Sequence, residues 1–466
     1  MDSRRIYKPE YVSKMESVLS QAFAEELNCS ICMSYLTDPV TINCGHSFCR
    51  ACLHLFWEDS LFPGHCPTCR ERTKQKDFRT NIVLKKLVSI ARQASLMKYL
   101  ILEENKCVIH KEIKGIFCME NRIYLCQLCS DSQMHRSHRH SPVEAAAEGE
   151  MERLLKQMTS LQEKIQEIKE NLEAECRMKL WFKNFLVMRE DMIRTEYRKW
   201  RAVPHEQEDQ HIVRMKNEGD CVFEKLGESE AMMIQKRKQL REMFQELMAM
   251  SQEPYVILLQ DLDNILRRSE AVDLSIPQAM KPELSALPIT GLTESFNHYK
   301  VHISFENLFG LHCKKNLFNV MRRASFKYHH QYTSVDPVGS YLASWGSQNF
   351  ISGKYYWELD LKDSSDWAVG VCTNSWLMNR NKEVETKGAF LLFCMKEGSH
   401  YSLLTTNPVI HHYIEKPLDR VGVFLDCEAG YLSFLNVAKS SLIYRYPHKT
   451  FKYRVWPYFS YGQIIP

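Results

Sequence analysis

Eight potential metal ligands, seven cysteines and one histidine, recur at short spacings near the start of this 466-residue chain. They are Cys29, Cys32, Cys44, His46, Cys49, Cys52, Cys66 and Cys69. Zinc takes four tetrahedral ligands and favours thiolate sulfur and imidazole nitrogen as donors. Closely spaced ligands reach one ion from a tight turn, so the four pairs of ligands can hold two ions. The spacing therefore predicts a small fold cross-linked by two zinc ions.

The order of the ligands, three cysteines, one histidine and four cysteines, resembles the RING finger, which we expect over residues 29–70. The PHD finger is a competing zinc module, but its histidine is the fifth ligand. In RING fingers the pairs alternate, so the resemblance implies one ion on Cys29, Cys32, Cys49 and Cys52, and another on Cys44, His46, Cys66 and Cys69. Protein ligands would fill all four coordination positions of both ions, so we expect structural zinc that does not activate water.

The residues between the ligands bear on activity. RING ubiquitin ligases dock the ubiquitin-conjugating enzyme on an apolar residue in the first zinc knuckle and a proline in the last. A basic residue after the final ligand contacts that enzyme and its ubiquitin. By resemblance these roles fall to Ile31, Pro67 and Arg70, with Leu61 or Trp57 completing the apolar patch. The ligase would act by orienting a thioester for attack by a substrate lysine, with no catalytic nucleophile of its own.

A second group of cysteines and histidines, within residues 102–143, resembles a B-box of the second type. Four ligands are expected on one zinc ion and three on another: Cys107, His110, Cys126 and Cys129, then Cys118, His135 and His138. The family usually supplies aspartate as the eighth ligand, but this chain has Asn121 there. An amide oxygen is a poor zinc donor, so we expect a weaker second site, with Asn121, Glu120, His140 or water completing it. A loose histidine-rich loop is the alternative.

Apolar residues from Met151 to Leu172 alternate steps of three and four, which indicates a heptad seam. No proline lies between Pro142 and Pro204. We therefore expect one helix over roughly 145–203, about 85 Å long at 1.5 Å per residue. A seam this long needs a partner, and a homodimer is the expected one. A helix packed inside a globular bundle is the alternative.

Less regular helical patterns follow at roughly 210–251 and 256–267, and we expect both to fold back on the coiled coil within 145–270. The proline-containing segment 271–293 is interpreted as a linker.

Short apolar and aromatic runs separated by Gly, Pro, Asn and Ser indicate an all-β sandwich over residues 294–466. The segments around Trp357, Trp367 and Phe424 resemble the SPRY domain with its N-terminal PRY extension. We expect these three aromatic residues in the core, since they bury much area for few torsions.

Loops carry binding in SPRY domains, and the apolar triplet Trp376, Leu377 and Met378 is the candidate target-binding patch. Such a triplet is a binding hot spot when exposed and an ordinary loop anchor when buried.

The order RING, B-box, antiparallel coiled coil and PRY–SPRY resembles the tripartite-motif family of ubiquitin ligases. The resemblance implies a multidomain fold of two zinc cross-brace modules, a long helical coiled coil and a C-terminal β-sandwich. It also implies a dimeric ubiquitin-protein ligase whose partners are a conjugating enzyme, ubiquitin and an unknown protein captured by the SPRY domain. Antiviral innate immunity is a common role in this family. The alternative is a non-catalytic scaffold or restriction-type binder that acts through SPRY recognition and self-assembly.

Charge and cysteine usage indicate the compartment and exclude some partners. A net charge of +4 is small for 466 residues and does not favour nucleic acid. Six of the 17 cysteines are scattered outside the two clusters, which fits free thiols in a reducing compartment. We expect no signal peptide and no membrane span. The cytoplasm is therefore the expected location, with the nucleus as the alternative.

Overall fold

The computed structural model describes residues 26–59, 64–73, 79–199, 205–272, 275–277, 280–307, 317–318, 320–322, 341–361, 366–378, 388–397, 400–416, 419–450 and 453–462. The chain divides into two compact units, Met1–Glu167 with Gln235–Ile276, and Ile168–Ile234 with Pro277–Pro466. Within the described residues no helix is both long and apolar enough to cross a membrane.

The first unit begins with a small zinc-finger fold. A hairpin of β1 (Pro39–Thr41) and β2 (Ser47–Cys49) leads into helix α1 (Arg50–Asp59). Val40, Phe48 and Leu53 are fully buried and form its apolar centre. Helix α2 (Ile82–Leu100) follows, and it begins where the Asn81 side chain accepts a 3.1 Å hydrogen bond from the backbone N–H of Leu84.

A second small module follows α2. Strands β3 (Ile116–Cys118), β4 (Ile123–Leu125) and β5 (His140–Pro142) form an antiparallel sheet in the order β4-β3-β5. The short helix α3 (Gln127–Ser130) lies between β4 and β5 in the sequence. Strand β5 runs directly into the first long helix, so the module is joined to it without a linker.

Three helices make up the middle of the chain: α4 (Val143–Lys199), α5 (His205–Gln252) and α6 (Tyr255–Ala271). They correspond to the three helical stretches predicted from the sequence. Pro254 stands immediately before α6 and separates it from α5, since proline cannot continue a helix ladder.

The predicted heptad seam is covered within one chain. Leu172 is half-buried, and the other six members are buried: Met151, Leu154, Met158, Leu161, Ile165 and Ile168. In the first unit, α6 contacts α4 through a 2.6 Å hydrogen bond from the Tyr255 hydroxyl to Glu148 and an ion pair of Arg153 with Asp263. The seam is therefore buried within a single chain in this structure, as in the alternative of a helix packed inside a bundle, and the homodimer stays a prediction.

In the second unit α4 and α5 run antiparallel. As the residue number rises along α4, the number of its partner on α5 falls, in the pairs Glu175–Ser229, Glu190–Lys216 and Arg194–Glu208. The side chain of Leu186 lies so close to Gly219 that a Cβ on the glycine would sit 2.9 Å from it, so the two helices pack tightly there.

The rest of the second unit is a β-sandwich of two antiparallel sheets. The strands are β6 (Phe305–Asn307), β7 (Tyr341–Gly346), β8 (Lys354–Asp360), β9 (Trp367–Thr373), β10 (Ala389–Glu397), β11 (His400–Thr405), β12 (Ile410–His412), β13 (Arg420–Asp426), β14 (Tyr431–Asn436), β15 (Ser441–Arg445) and β16 (Val455–Gly462). Within the described residues one sheet has the order β12-β11-β10-β9-β16-β7-β6 and the other β15-β14-β13-β8. Trp357, Trp367 and Phe424 are buried in its core, as expected from the sequence.

The second unit's helices pack against the sandwich. Phe182 and Phe185 of α4 place their rings edge-on to Tyr413, at 5.6 and 5.4 Å between centroids. Arg189 donates a 2.7 Å hydrogen bond to the carbonyl of Ile443 in β15. The helical hairpin and the sandwich therefore share one continuous core.

Candidate zinc centres

The first metal cluster lies where the hairpin and α1 meet the first knuckle. It consists of Cys29, Cys32, Cys49 and Cys52, whose sulfurs all lie within 4.8 Å of one another. The knuckle closes with a 2.8 Å hydrogen bond from the backbone N–H of Met33 to the carbonyl of Cys29. Because Cys49 ends β2 and Cys52 lies on α1, a single ion would fasten the loop, the strand and the helix together.

The second cluster joins the loop between β1 and β2 to the last knuckle. It contains Cys44, His46, Cys66 and Cys69. The Nδ1 atom of His46 lies 3.3 Å from the sulfur of Cys44 and 3.6 Å from that of Cys66. The two clusters thus take alternate ligand pairs, which is the arrangement that the resemblance to RING fingers implied.

The B-box-like module brings together two further clusters. One holds Cys107, His110, Cys126 and Cys129, with the Nδ1 atom of His110 3.3 Å from the sulfur of Cys126. The other holds Cys118, His135 and His138, with the Nδ1 atom of His138 3.4 Å from the sulfur of Cys118. Every metal ligand predicted from the sequence lies in one of these four clusters.

The geometry and donor chemistry fit zinc. Ligands at about 2.3 Å (sulfur) and 2.0–2.1 Å (nitrogen) from a tetrahedral centre lie about 3.5–3.8 Å apart. The sulfurs of Cys32 and Cys49 are 3.9 Å apart, and those of Cys107 and Cys129 are 3.8 Å apart. Sets dominated by thiolate and imidazole select zinc over the hard cations magnesium and calcium. Both modules are zinc fingers.

Hydrogen bonds to sulfur favour the thiolate that zinc requires. The thiols of Cys32, Cys49 and Cys52 hold the pKa of the Cys29 thiol far below its ordinary value. In the second module the backbone N–H of His110 lowers the pKa of the Cys107 thiol to about 6. Contact with the Cys29 sulfur raises the pKa of the Cys49 and Cys52 thiols, and burial raises that of Cys129 to about 12, so these protons must leave when the ion binds.

The residues expected to dock a conjugating enzyme lie around the first and last knuckles. The hydroxyls of Ser30 and Thr68 are 3.3 Å apart, so the knuckle that carries Ile31 adjoins the one that carries Pro67. The Trp57 indole N–H donates a 2.7 Å hydrogen bond to the carbonyl of His65, which fastens α1 beside the last knuckle. Ile31, Trp57 and Pro67 are half-buried.

Arg70 and Leu61 complete the set of residues expected on this surface. Arg70 is exposed, and its backbone has a left-handed φ of 61° directly after the last ligand. Its N–H donates a 2.9 Å hydrogen bond to the carbonyl of Cys66, which closes the last knuckle. The guanidinium therefore projects from a turn whose backbone the knuckle fixes. Leu61 lies outside the described residues.

Sequence reasoning missed Arg92 of α2, which positions the zinc finger in the first unit. Its guanidinium donates hydrogen bonds to the Thr37 hydroxyl and to the carbonyls of Ser251 and Glu253, at 3.2, 3.0 and 3.2 Å. Thr37 in turn donates its backbone N–H to the sulfur of Cys49 at 3.1 Å. A signal was present in the sequence, because Arg92 occupies a core position in the helical series Val88, Arg92, Leu96 and Leu100.

The predicted target-binding triplet lies on the short helix α7 (Asn374–Met378), which follows β9. Trp376 is only 4 % exposed and packs its ring edge-on against Tyr458 at 5.4 Å between centroids. Leu377 is half-buried against the same core cluster. The burial of Trp376 fits a loop anchor and not an exposed hot spot, because its aromatic face is taken up inside the sandwich. The side chain of Met378 and residues 379–387 lie outside the described part.

Family models match the chain at three places. A zinc finger of C3HC4-type, RING, matches residues 29–69, a B-box zinc finger matches residues 102–143, and a SPRY domain matches residues 354–464.

Relatives align along nearly the whole chain. Tripartite motif-containing protein 43C of Mus musculus is 45% identical over 439 residues, covering 93% of this chain and 96% of that protein. Tripartite motif-containing protein 49 of Homo sapiens is 45% identical over 455 residues, covering 96% and 99% respectively. The crystal structure of the TRIM65 PSpry domain aligns at 13% identity and a TM-score of 0.26, covering 38% of this chain and 96% of that one.

Proposed function

The chain belongs to the tripartite-motif family, and on this premise we propose that it is a RING-type ubiquitin-protein ligase. One observation carries the proposal: the first and last zinc knuckles adjoin, with Ile31 and Pro67 on them and the exposed Arg70 directly behind the final ligand. These are the positions at which RING ligases hold a conjugating enzyme and its ubiquitin.

The chain's own residues would supply binding and orientation. Zinc supplies cross-links between chain segments, and protein ligands fill both of its RING sites. Ile31, Pro67 and Trp57 would form an apolar seat for the conjugating enzyme, with Leu61 as a further member. Arg70 would then contact the enzyme and its ubiquitin together, restricting the thioester to one reactive geometry. Fixing the geometry of two reactants in this way is worth several kcal/mol of activation free energy, up to about 7–11 kcal/mol in well-oriented systems.

The C-terminal sandwich would capture the protein that is modified. SPRY domains bind proteins through loops, and a homodimer formed through the helices would double the number of capturing domains. Two linked binding domains can raise apparent affinity by roughly 10²–10⁴ when both reach their targets. We also propose that the chain works in the cytoplasm or nucleus, because its six scattered cysteines fit free thiols in a reducing compartment.

A single-turnover assay tests the proposal. Full-length protein is added to a conjugating enzyme charged with ubiquitin, and discharge onto free lysine is followed together with binding of the uncharged enzyme. We expect Ile31→Asp to abolish both binding and discharge, because a buried carboxylate disrupts an apolar seat. We expect Arg70→Ala to slow discharge at least tenfold while binding of the uncharged enzyme changes little.

Arg72→Ala is the matched control, since Arg72 is also exposed and lies two residues beyond Arg70. If both arginine variants discharge ubiquitin at the wild-type rate, Arg70 does not have the proposed role. If the zinc-bound wild-type protein fails to accelerate discharge from every conjugating enzyme tested, the chain is a non-catalytic scaffold and the proposal fails.

A further inference from the structure

The second zinc cluster of the B-box differs from the other three because it has only three cysteine or histidine ligands among the described residues. These are Cys118, His135 and His138. The Nδ1 atom of His135 is buried with no hydrogen-bond partner, as expected of a nitrogen in a metal site. A fourth group must complete a tetrahedral ion here.

The Asn121 amide oxygen is best placed for the fourth position. It lies 3.5 Å from the sulfur of Cys118. Sulfur and oxygen ligands at about 2.3 and 2.0–2.2 Å from a tetrahedral ion are about 3.5–3.7 Å apart. The Asn121 oxygen therefore already stands at the separation that two ligands of one ion require.

Glu120, the nearest carboxylate in the sequence, is engaged elsewhere. One of its oxygens accepts a 2.8 Å hydrogen bond from the backbone N–H of Arg139, and the other accepts a 3.1 Å hydrogen bond from the guanidinium. The first of these oxygens lies 4.0 Å from the sulfur of Cys118, farther than the amide oxygen of Asn121. Binding zinc through Glu120 would require this double contact with Arg139 to break.

His140 is the remaining nearby donor. It lies on β5, directly opposite Cys118 of β3 in the sheet register. Its Nε2 atom is buried with no hydrogen-bond partner, like Nδ1 of His135, but neither ring nitrogen belongs to the group of ligand atoms that lie within 4.8 Å of one another. The geometry therefore favours Asn121 over both alternatives.

The donor set has an electrostatic consequence. A single thiolate, from Cys118, opposes the charge of the ion, since His135, His138 and Asn121 are all neutral donors. The other three clusters each contribute three or four thiolates. Attraction between anionic ligands and the ion is a large part of zinc affinity, so this site binds the ion most weakly.

We propose that the second B-box site is an exchangeable zinc site, in which the neutral Asn121 amide oxygen is the fourth ligand. It would be the first of the four sites to release its ion as free zinc falls, whether or not the RING acts as a ligase. Cys118 lies on β3, which pairs with β5, and β5 runs directly into α4. Loss of the ion would therefore loosen the segment that joins the B-box to the long helix.

Zinc release from the full-length protein tests the proposal. The zinc-loaded chain is mixed with the colorimetric chelator 4-(2-pyridylazo)resorcinol, and released metal is followed over time while circular dichroism monitors folding. We expect one zinc equivalent of the four to leave in a separate fast phase. Asn121→Asp restores an anionic ligand and should slow that phase at least about tenfold, since even outer-shell partners alter zinc affinity by about 10–100-fold.

Glu120→Gln is the matched control, because it removes a neighbouring carboxylate of similar exposure without changing the backbone. We expect its fast phase to match the wild type. Faster release from Glu120→Gln, combined with no effect of Asn121→Asp, would identify Glu120 as the ligand and overturn the proposal. Release of all four ions in one phase would also overturn it, and neither result depends on ubiquitin transfer.

Discussion

Replacing Arg92 with methionine should destabilise the first unit, because Arg92 holds the zinc finger against the ends of two helices. The side chain is 5 % exposed, and its guanidinium reaches the Thr37 hydroxyl and the carbonyls of Ser251 and Glu253. It also lies over the ring of Tyr255, 5.6 Å from the centroid. Methionine keeps the length of the side chain but leaves these acceptors without their donor.

The size of the effect follows from those three hydrogen bonds. Each bond from a charged donor is worth about 1.5–3 kcal/mol, and the desolvation of a buried guanidinium offsets several kcal/mol of their sum. Removing one partner of such a buried network typically costs about 3–5 kcal/mol, so we expect a loss of about 3 kcal/mol. For a unit of about 200 residues this lowers the melting temperature by about 6–12 °C.

Differential scanning calorimetry and hydrogen exchange would measure this loss. We expect amides around Thr37 to exchange faster in Arg92→Met than in the wild type. Arg92→Lys should fall between the two, because an ammonium group keeps the charge but lacks the planar fork that serves several acceptors. Lys86→Met is the control on the exposed face of the same helix and should change stability by less than about 0.5 kcal/mol. Equal shifts for Arg92→Met and Lys86→Met would show that the hydrogen bonds of Arg92 do not stabilise the first unit.

Three further predictions concern the second unit. Trp376→Ala should cost about 3–5 kcal/mol because it empties a core position, whereas Asn374→Ala on the exposed face of the same helix should be nearly neutral in thermal unfolding. Burial lowers the pKa of His412 to about 3, so the folded unit binds fewer protons than the unfolded chain below pH 6.5. The contribution of neutral His412 to stability is therefore complete above pH 6.5 and is lost at about 1.4 kcal/mol per pH unit as the pH falls toward 3, so His412→Gln should reduce the pH dependence by that amount in denaturant titrations. Arg445→Met should cost about 3 kcal/mol in the same titrations, since it removes one of the two cations beside the fully buried carboxylate of Glu196 and leaves Lys199 as its partner, and Arg445→Met combined with Glu196→Gln should recover part of the loss.

Metal ligands were the most predictable part of the molecule. Zinc chemistry fixes ligand type and short spacing, so the sequence carries both the positions and the alternate pairing once the RING resemblance is recognised. The long helix α4 was equally accessible, because its seam is regular and proline bounds it on both sides. What covers the seam was not accessible from the sequence, because a heptad pattern specifies an apolar face but not whether its partner belongs to the same chain.

Single buried polar residues were the least predictable. Arg92 is charged, and charged residues usually lie at the surface. Its role depends on carbonyls about 160 residues away in the sequence. The role of Trp376 depends on whether its side chain is exposed. An apolar triplet among polar and charged residues does not determine that exposure. Both cases are decided by tertiary packing, whereas the zinc knuckles are decided by local geometry.

Autoubiquitination of the purified full-length protein across a panel of conjugating enzymes tests the proposed ligase activity most directly. Wild-type protein would be compared with Cys29→Ala, which removes a zinc ligand, with Arg70→Ala and with the control Arg72→Ala. We expect ubiquitin ladders from the wild type and from Arg72→Ala, and none from Cys29→Ala or Arg70→Ala. Ladders of wild-type intensity from Arg70→Ala would rule out its proposed role, and no ladder from the zinc-bound wild type with any enzyme of the panel would rule out ligase activity.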